Sequence, residues 1–253
     1  MSYGISVNNY TNELLISDTY PTPQFLGKLT PSYLSSSSVS GNNVHEYAYS
    51  GLTNPVSGKP LMFFVTLPET SSINYYAFDP AIAFAVGSSV SYGMKVITTA
   101  AVGTYSLPEV YVFTLTDHKA ATGFGVQVFN ASGTVTFDSR NTPLGLLFLS
   151  NAGTSTQPIY PYGTESTIVL AGLSTFSKVA YLLPFYSAIS HGRFGNTYDY
   201  VGGVRATDGG VLYMLACAVT DDGTPDSAPS YRYDYTPNVS PTTYAAIDAS
   251  KYD

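Results

Sequence analysis

Apolar and polar positions alternate in short runs along the chain, and no apolar stripe with a helical period survives beyond two turns. The runs are rich in Val, Ile, Thr, Tyr and Phe and are bounded by clusters of Gly, Pro, Asn and Ser. The clearest cover residues 61–67, 91–98, 110–116, 124–129, 134–137 and 211–219. Side chains of this kind suit a pleated, half-buried surface, and turn residues at this density separate many short strands. The pattern predicts an all-β chain of sandwich architecture.

A repeat organises the runs. Sliding the chain by 121 positions places Gly4 on Gly125, Ile5 on Val126, Val7 on Val128 and Asn9 on Asn130. No gap is needed across the following turn, where Asn12 falls on Gly133, Leu14 on Val135 and Ile16 on Phe137. The same shift sets Ser50-Gly51-Leu52 on Ala171-Gly172-Leu173, and Val110, Val112 and Thr114 on Tyr231, Tyr233 and Tyr235. The expectation is two tandem β-sandwich-like domains related by internal duplication, residues 1–120 and 121–236. Residues 237–253, with Pro237 and Pro241 and few apolar positions, are expected to form an extended C-terminal tail, frayed or lying along a neighbour.

Each unit opens with a hairpin. In the second, Phe124, Val126 and Val128 alternate with Gly125, Gln127 and Phe129, and Val135 and Phe137 resume the alternation after the turn. The turn is Asn130-Ala131-Ser132-Gly133, where Asn can bond its own backbone and Gly supplies a positive φ. In the first unit Asn9-Tyr10-Thr11-Asn12 takes this place, and Asn12 is the best substitute for Gly in the left-handed region. Polar stretches at residues 32–43 and 151–163, together with residues 187–198, read as loops.

Composition narrows the function. The 253 residues are 44% hydrophobic and 14% aromatic, which excludes a solvated coil. Only 11% are charged, against about 25% in an ordinary soluble chain. Low charge with 23 tyrosines fits surfaces buried against partners, and also fits a β protein with a merely polar exterior. A net charge of −7 with ten scattered basic residues argues against nucleic acid as a partner. No apolar run approaches about 20 residues, so membrane insertion is not expected. The start Met1-Ser2-Tyr3-Gly4 lacks the basic and apolar segments of a signal peptide, so synthesis in a cytoplasm without export is expected. Cys217, the only cysteine, lies in an apolar run and reads as a small buried hydrophobe.

No catalytic constellation emerges. His45, His118 and His191 have no second ligand at zinc-like spacing and read as loop or strand-edge residues. There is no hydrolase elbow and no phosphate-binding glycine loop. Asp221-Asp222-Gly223-Thr224-Pro225-Asp226 could offer oxygens to calcium, but a turn of this composition is ordinarily a solvated loop. Four of the five glutamates (Glu13, Glu46, Glu69, Glu109) lie in the first unit and only Glu165 in the second, which disfavours a duplicated carboxylate pair. No catalytic, cofactor-binding or metal-binding residue is therefore assigned. Alternating Tyr231, Tyr233 and Tyr235 fit one face of an edge strand and are candidate partner contacts, with stacking on sugar rings as the alternative.

The run GFGVQVFNASGTVTFDSR resembles the opening of small structural tail proteins of tailed bacteriophages, in which an aromatic-Gly-Leu-Gln-Val segment leads through Asn-x-x-Gly to an Asp-Ser ending. Phe124, Gly125, Val126, Gln127, Val128, Asn130, Ala131, Ser132, Gly133, Phe137, Asp138 and Ser139 carry the resemblance in the second unit. In the first, Tyr3, Gly4 and Asn9 keep the start, while Asn12 replaces the Gly and Ser17-Asp18 stands where Asp-Ser would be. The resemblance implies a non-enzymatic virion protein of the tail tip, baseplate or fibre attachment. It would contact other virion proteins, and because three copies of a two-unit chain present six similar domains, the duplication suits a homo-oligomer of three or six copies around the tail. The alternatives are a receptor- or carbohydrate-binding module touching host surface glycan, and a head decoration protein.

Overall fold

The computed structural model describes residues 6–8, 14–17, 22–39, 42–53, 61–68, 75–78, 89–114, 124–152, 166–169, 173–182, 189–193, 196–207, 211–221 and 242–253. These residues form strands and two short 3-10 turns, with no α-helix among them, so the protein is all-β. The first half carries β1 (Ser6–Asn8), β2 (Leu14–Ser17), β3 (Gln24–Val39), β4 (Asn42–Thr53), β5 (Leu61–Thr66), β6 (Tyr75–Phe78), β7 (Ser89–Thr98) and β8 (Val110–Thr114). The second carries β9 (Gln127–Phe129), β10 (Val135–Asp138), β11 (Leu146–Ala152), β12 (Ser166–Val169), β13 (Val179–Leu182), β14 (Ile189–Arg193), β15 (Asn196–Thr207), β16 (Val211–Asp221) and β17 (Thr242–Asp248).

Two hairpins stand apart, β1 with β2 and β9 with β10. The remaining strands form one curled antiparallel sheet in the order β11-β17-β13-β5-β8-β3-β4-β7-β6-β15-β16-β12, with β14 added beside β15. Residue 120 does not divide this sheet. β5 pairs with β13, and β6 with β15, so a block of first-half strands is joined at each end to strands of the second half.

β3 makes the curl possible. Its first part, from Gln24 to Leu29, pairs with β8, and its second part, from Thr30 to Val39, pairs with β4. A bulge between Phe25 and Gly27 breaks the register near the start of the strand. Bulges bend a strand and increase its twist, which lets one strand serve two parts of a folded-over sheet.

The concave side holds a core drawn from both halves: Leu29, Tyr47, Tyr49, Phe63, Val65, Tyr76, Met94, Val96 and Val112 meet Leu173, Tyr181, Ala206 and Ala246. A second cluster covers the other side of β5, β8 and β17, built from Phe64, Tyr111, Phe113, Ala245, Ile247 and Tyr252 with Phe25. β5 is accordingly buried at five of its six positions, as its uninterrupted apolar sequence requires.

The C-terminal segment departs from expectation. Residues 242–253 are not a tail: β17 lies between β11 and β13, and the 3-10 turn Ala249–Tyr252 closes over the second cluster. Ala245, Ala246 and Ile247 are almost wholly buried. Alanine has weak strand propensity, so the segment gives little local signal. Its small side chains nevertheless fit a strand enclosed by neighbours on two edges and two faces. Tyr231, Tyr233 and Tyr235 lie outside the described residues.

Candidate interaction hairpin

The segment that carries the resemblance forms the β9–β10 hairpin. At its turn the Asn130 side-chain oxygen accepts hydrogen bonds from Ser132 N (3.0 Å), Ser132 Oγ (2.8 Å) and Thr134 N (2.8 Å). Gly133 N donates to the Asn130 carbonyl at 3.0 Å, and Asn130 N to the Thr134 carbonyl at 2.8 Å. Gly133 has φ of 82°, the left-handed conformation for which glycine is favoured. The expected turn chemistry is present in full.

At the base of the hairpin a buried carboxylate gathers the ends. Asp138 Oδ1 accepts from Arg140 N (3.0 Å) and Nε (2.8 Å), while Oδ2 accepts from an Arg140 terminal nitrogen (2.5 Å) and from Gln127 Nε2 (2.8 Å). The two-pronged Arg140 contact holds the Asp138 carboxyl well below the usual carboxylate range, with burial opposing and the Gln127 bond assisting. Ser139 ties the other strand, since Val126 N donates to its Oγ at 2.8 Å and Ser139 N donates to the Val126 carbonyl at 2.9 Å. The Arg140 stem packs over Gly125, where a Cβ would sit 2.5 Å from Arg140 Cγ. Gly125, Gln127, Asn130, Gly133, Asp138 and Ser139 are thus used within the hairpin itself. Arg140 completes the device, and the sequence pattern had placed no role on it.

The outward positions are apolar. Phe124 is fully exposed, and Val126 (64%) and Phe129 (51%) are more than half exposed. The alternation expected on the return strand is reversed: Thr136 and Asp138 are buried, while Val135 and Phe137 are half-buried. A register shift between Val135 and Phe137 turns the polar pair inward, where Thr136 bonds the Val128 carbonyl and Asp138 bonds Arg140. The hairpin is fastened to the sheet at the start of β3, through Thr22 N to the Thr136 carbonyl (2.9 Å), Phe25 N to the Thr142 carbonyl (2.9 Å) and Leu144 N to the Pro23 carbonyl (2.8 Å). Of the first hairpin, Tyr3, Gly4, Asn9 and Asn12 lie outside the described residues, between and beside β1 and β2.

A second polar group lies inside the sheet. His45 is buried on β4 between β3 and β7, not in a loop or at a strand edge. Its Nδ1 is 2.5 Å from the Tyr105 hydroxyl, which is 2.8 Å from the Tyr47 hydroxyl. Burial pushes the imidazole below its ordinary pKa and drives Tyr105 up. Tyr49 and Tyr76 donate to the carbonyls of Pro108 (2.8 Å) and Ser106 (3.1 Å), so all four aromatic hydroxyls pin the connection between β7 and β8. No nucleophile or carboxylate joins this cluster in the contacts described, and its evident work is to hold residues 105–108 over the core.

Among the described residues no group of three or more His, Cys, Asp or Glu is placed to hold a metal ion. No helix among them is long and apolar enough to cross a membrane. His191 and Cys217 lie on β14 and β16, while His118 and residues 222–226 are outside the described set. The chain matches no protein-family model, no curated protein and no solved structure.

Proposed function

We propose that the chain is a structural component of a bacteriophage virion, at the tail tip, baseplate or fibre attachment, that acts by protein–protein contact within an oligomeric assembly. The observation that carries this reading is the hairpin at residues 124–140. Its polar and glycine signature residues are spent on holding its own shape, and it turns Phe124, Val126 and Phe129 to the outside. A rigid two-stranded element with an apolar exterior is suited to docking, because little conformational freedom is lost on contact. The resemblance of the same residues to phage tail proteins supplies the setting.

The test is a triple variant, Phe124→Ser with Val126→Ser and Phe129→Ser, carried into particle assembly. These side chains are exposed, so the isolated chain should keep its melting temperature within a few degrees. Particles assembled with the variant are expected to lack it or to lack functional tails. Full incorporation with normal infectivity would show that the hairpin is not the docking element.

A further inference from the structure

We infer that the two halves form a fused isologous dimer: the interface at the exposed edges of each half is one that its own counterpart fits, and it is closed within a single chain. The strands that meet across the halves are equivalent strands, paired antiparallel about a common pseudo-two-fold axis. This inference concerns the chain's own interface and stands whichever assembly the chain serves.

The equivalence can be followed ladder by ladder. The 121-residue shift carries β1 onto β9 and β2 onto β10 residue for residue, Ser6–Asn8 onto Gln127–Phe129 and Leu14–Ser17 onto Val135–Asp138. It also carries the β3 bulge between Phe25 and Gly27 onto the β11 bulge between Leu146 and Phe148. At these bulges Phe25 pairs with Phe113 and Leu146 with Ile247, which makes β17 the counterpart of β8. β8 and β17 then identify the next strands. Leu61 and Phe64 of β5 pair with Thr114 and Tyr111, as Val179 and Leu182 of β13 pair with Asp248 and Ala245. On the other side, His45 and Tyr76 both pair with Val96, as Ser166 and Val204 both pair with Met214.

With these equivalences fixed, the strand pairings between the halves fall into one scheme. β5 meets β13 through Thr66 with Ala180 and Val65 with Tyr181, and the next step of this register sets the equivalent residues Phe64 and Leu182 opposite each other. β6 meets β15 through Tyr76 with Val204, which are themselves equivalent. The start of β3 meets the segment before β11 through Gln24 with Pro143, and this short ladder is centred on Pro23 and Leu144, again equivalent. Equivalent residues meet at Tyr76 with Val204 and at Pro23 with Leu144, and the β5–β13 register runs toward the equivalent pair Phe64 and Leu182, as an isologous two-fold interface requires; a head-to-tail arrangement of two similar domains would pair unlike strands instead. The edges that two separate sandwiches would leave open are thereby paired, which removes templates for unwanted strand addition.

The test uses the full chain with Cys217→Ser, Thr66→Cys and Ala180→Cys, and a version that also carries a protease site in residues 115–123. In the uncut chain, mild oxidation should join positions 66 and 180 within one monomer, read by peptide mass spectrometry and by mass in solution. After cutting under reducing conditions, the two fragments should co-elute as one particle of unchanged size. Failure of the 66–180 link to form in the folded, uncut chain, or separation of the cut chain into two folded pieces, would overturn the inference.

Discussion

The residues with most chemistry in this protein are spent on internal contacts. Tyr47, Tyr49, Tyr76, Tyr111 and Tyr252 are buried and hydrogen-bonded through their hydroxyls, so part of the high tyrosine content serves the core and not a partner surface. His45 shows what such burial costs. Its folded pKa is lowered, so the unfolded chain takes up a proton that the folded chain refuses as pH falls through the ordinary histidine range. Stability is therefore expected to drop between about pH 7 and 5, with a contribution from this residue of at most about 1.4 kcal/mol per pH unit. Denaturant midpoints across that range should show a shallower slope for His45→Gln than for the parent. An unchanged slope would mean that the imidazole is not the group responsible. Asp138 acts in a lower window, since its depressed pKa places the loss below the ordinary aspartate value.

At the scale of elements, the C-terminal turn shows how a short segment stabilises a sheet face. Tyr252 packs edge-on against Phe113 at 4.9 Å between ring centroids and against Phe25 at 5.2 Å. Its hydroxyl accepts from Gly145 N (2.8 Å) and donates to the Pro143 carbonyl (3.0 Å), which ties the turn to the segment that precedes β11. Asp253, beyond it, accepts from Tyr111 (2.7 Å), Lys28 (3.0 Å) and Lys178, and these bonds hold its carboxyl below the usual range. Tyr252→Ala is expected to destabilise the protein by roughly 3 kcal/mol through the lost ring. Tyr252→Phe keeps the ring, removes the two hydroxyl bonds and should cost about 1 kcal/mol. Equal effects in equilibrium unfolding would show that the hydroxyl, not the packing, is what matters.

At the scale of the whole molecule, the halves share one core. Leu173, Tyr181, Ala206 and Ala246 pack with residues of β3 to β8, so neither half keeps its apolar surface covered without the other. Unfolding in urea should accordingly give one transition, coincident by fluorescence and circular dichroism, where tandem independent sandwiches would give two. A biphasic curve would show that the halves fold separately.

Local pattern was enough for the all-β character and for the hairpin, but not for every strand. The polar stretches 32–43 and 187–198, read as loops, fall largely within β3 and β4 and within β14 and β15, where neighbouring strands pair their backbone. Alternating β-branched and aromatic runs fixed the all-β character, Asn130 and Gly133 fixed a turn that depends only on neighbours a few residues away, and the shift that pairs Gly4 with Gly125 located β1, β2, β9 and β10. The sequence could not show which edges pair, because strand pairing joins residues far apart and any exposed edge offers the same backbone groups. Nor could it show that residues 242–253 lie inside, since Ala-Ala-Ile has no strong local preference and is held by the burial that its neighbours provide. Only the tertiary structure decided that the two halves close on each other through β5 with β13 and β6 with β15.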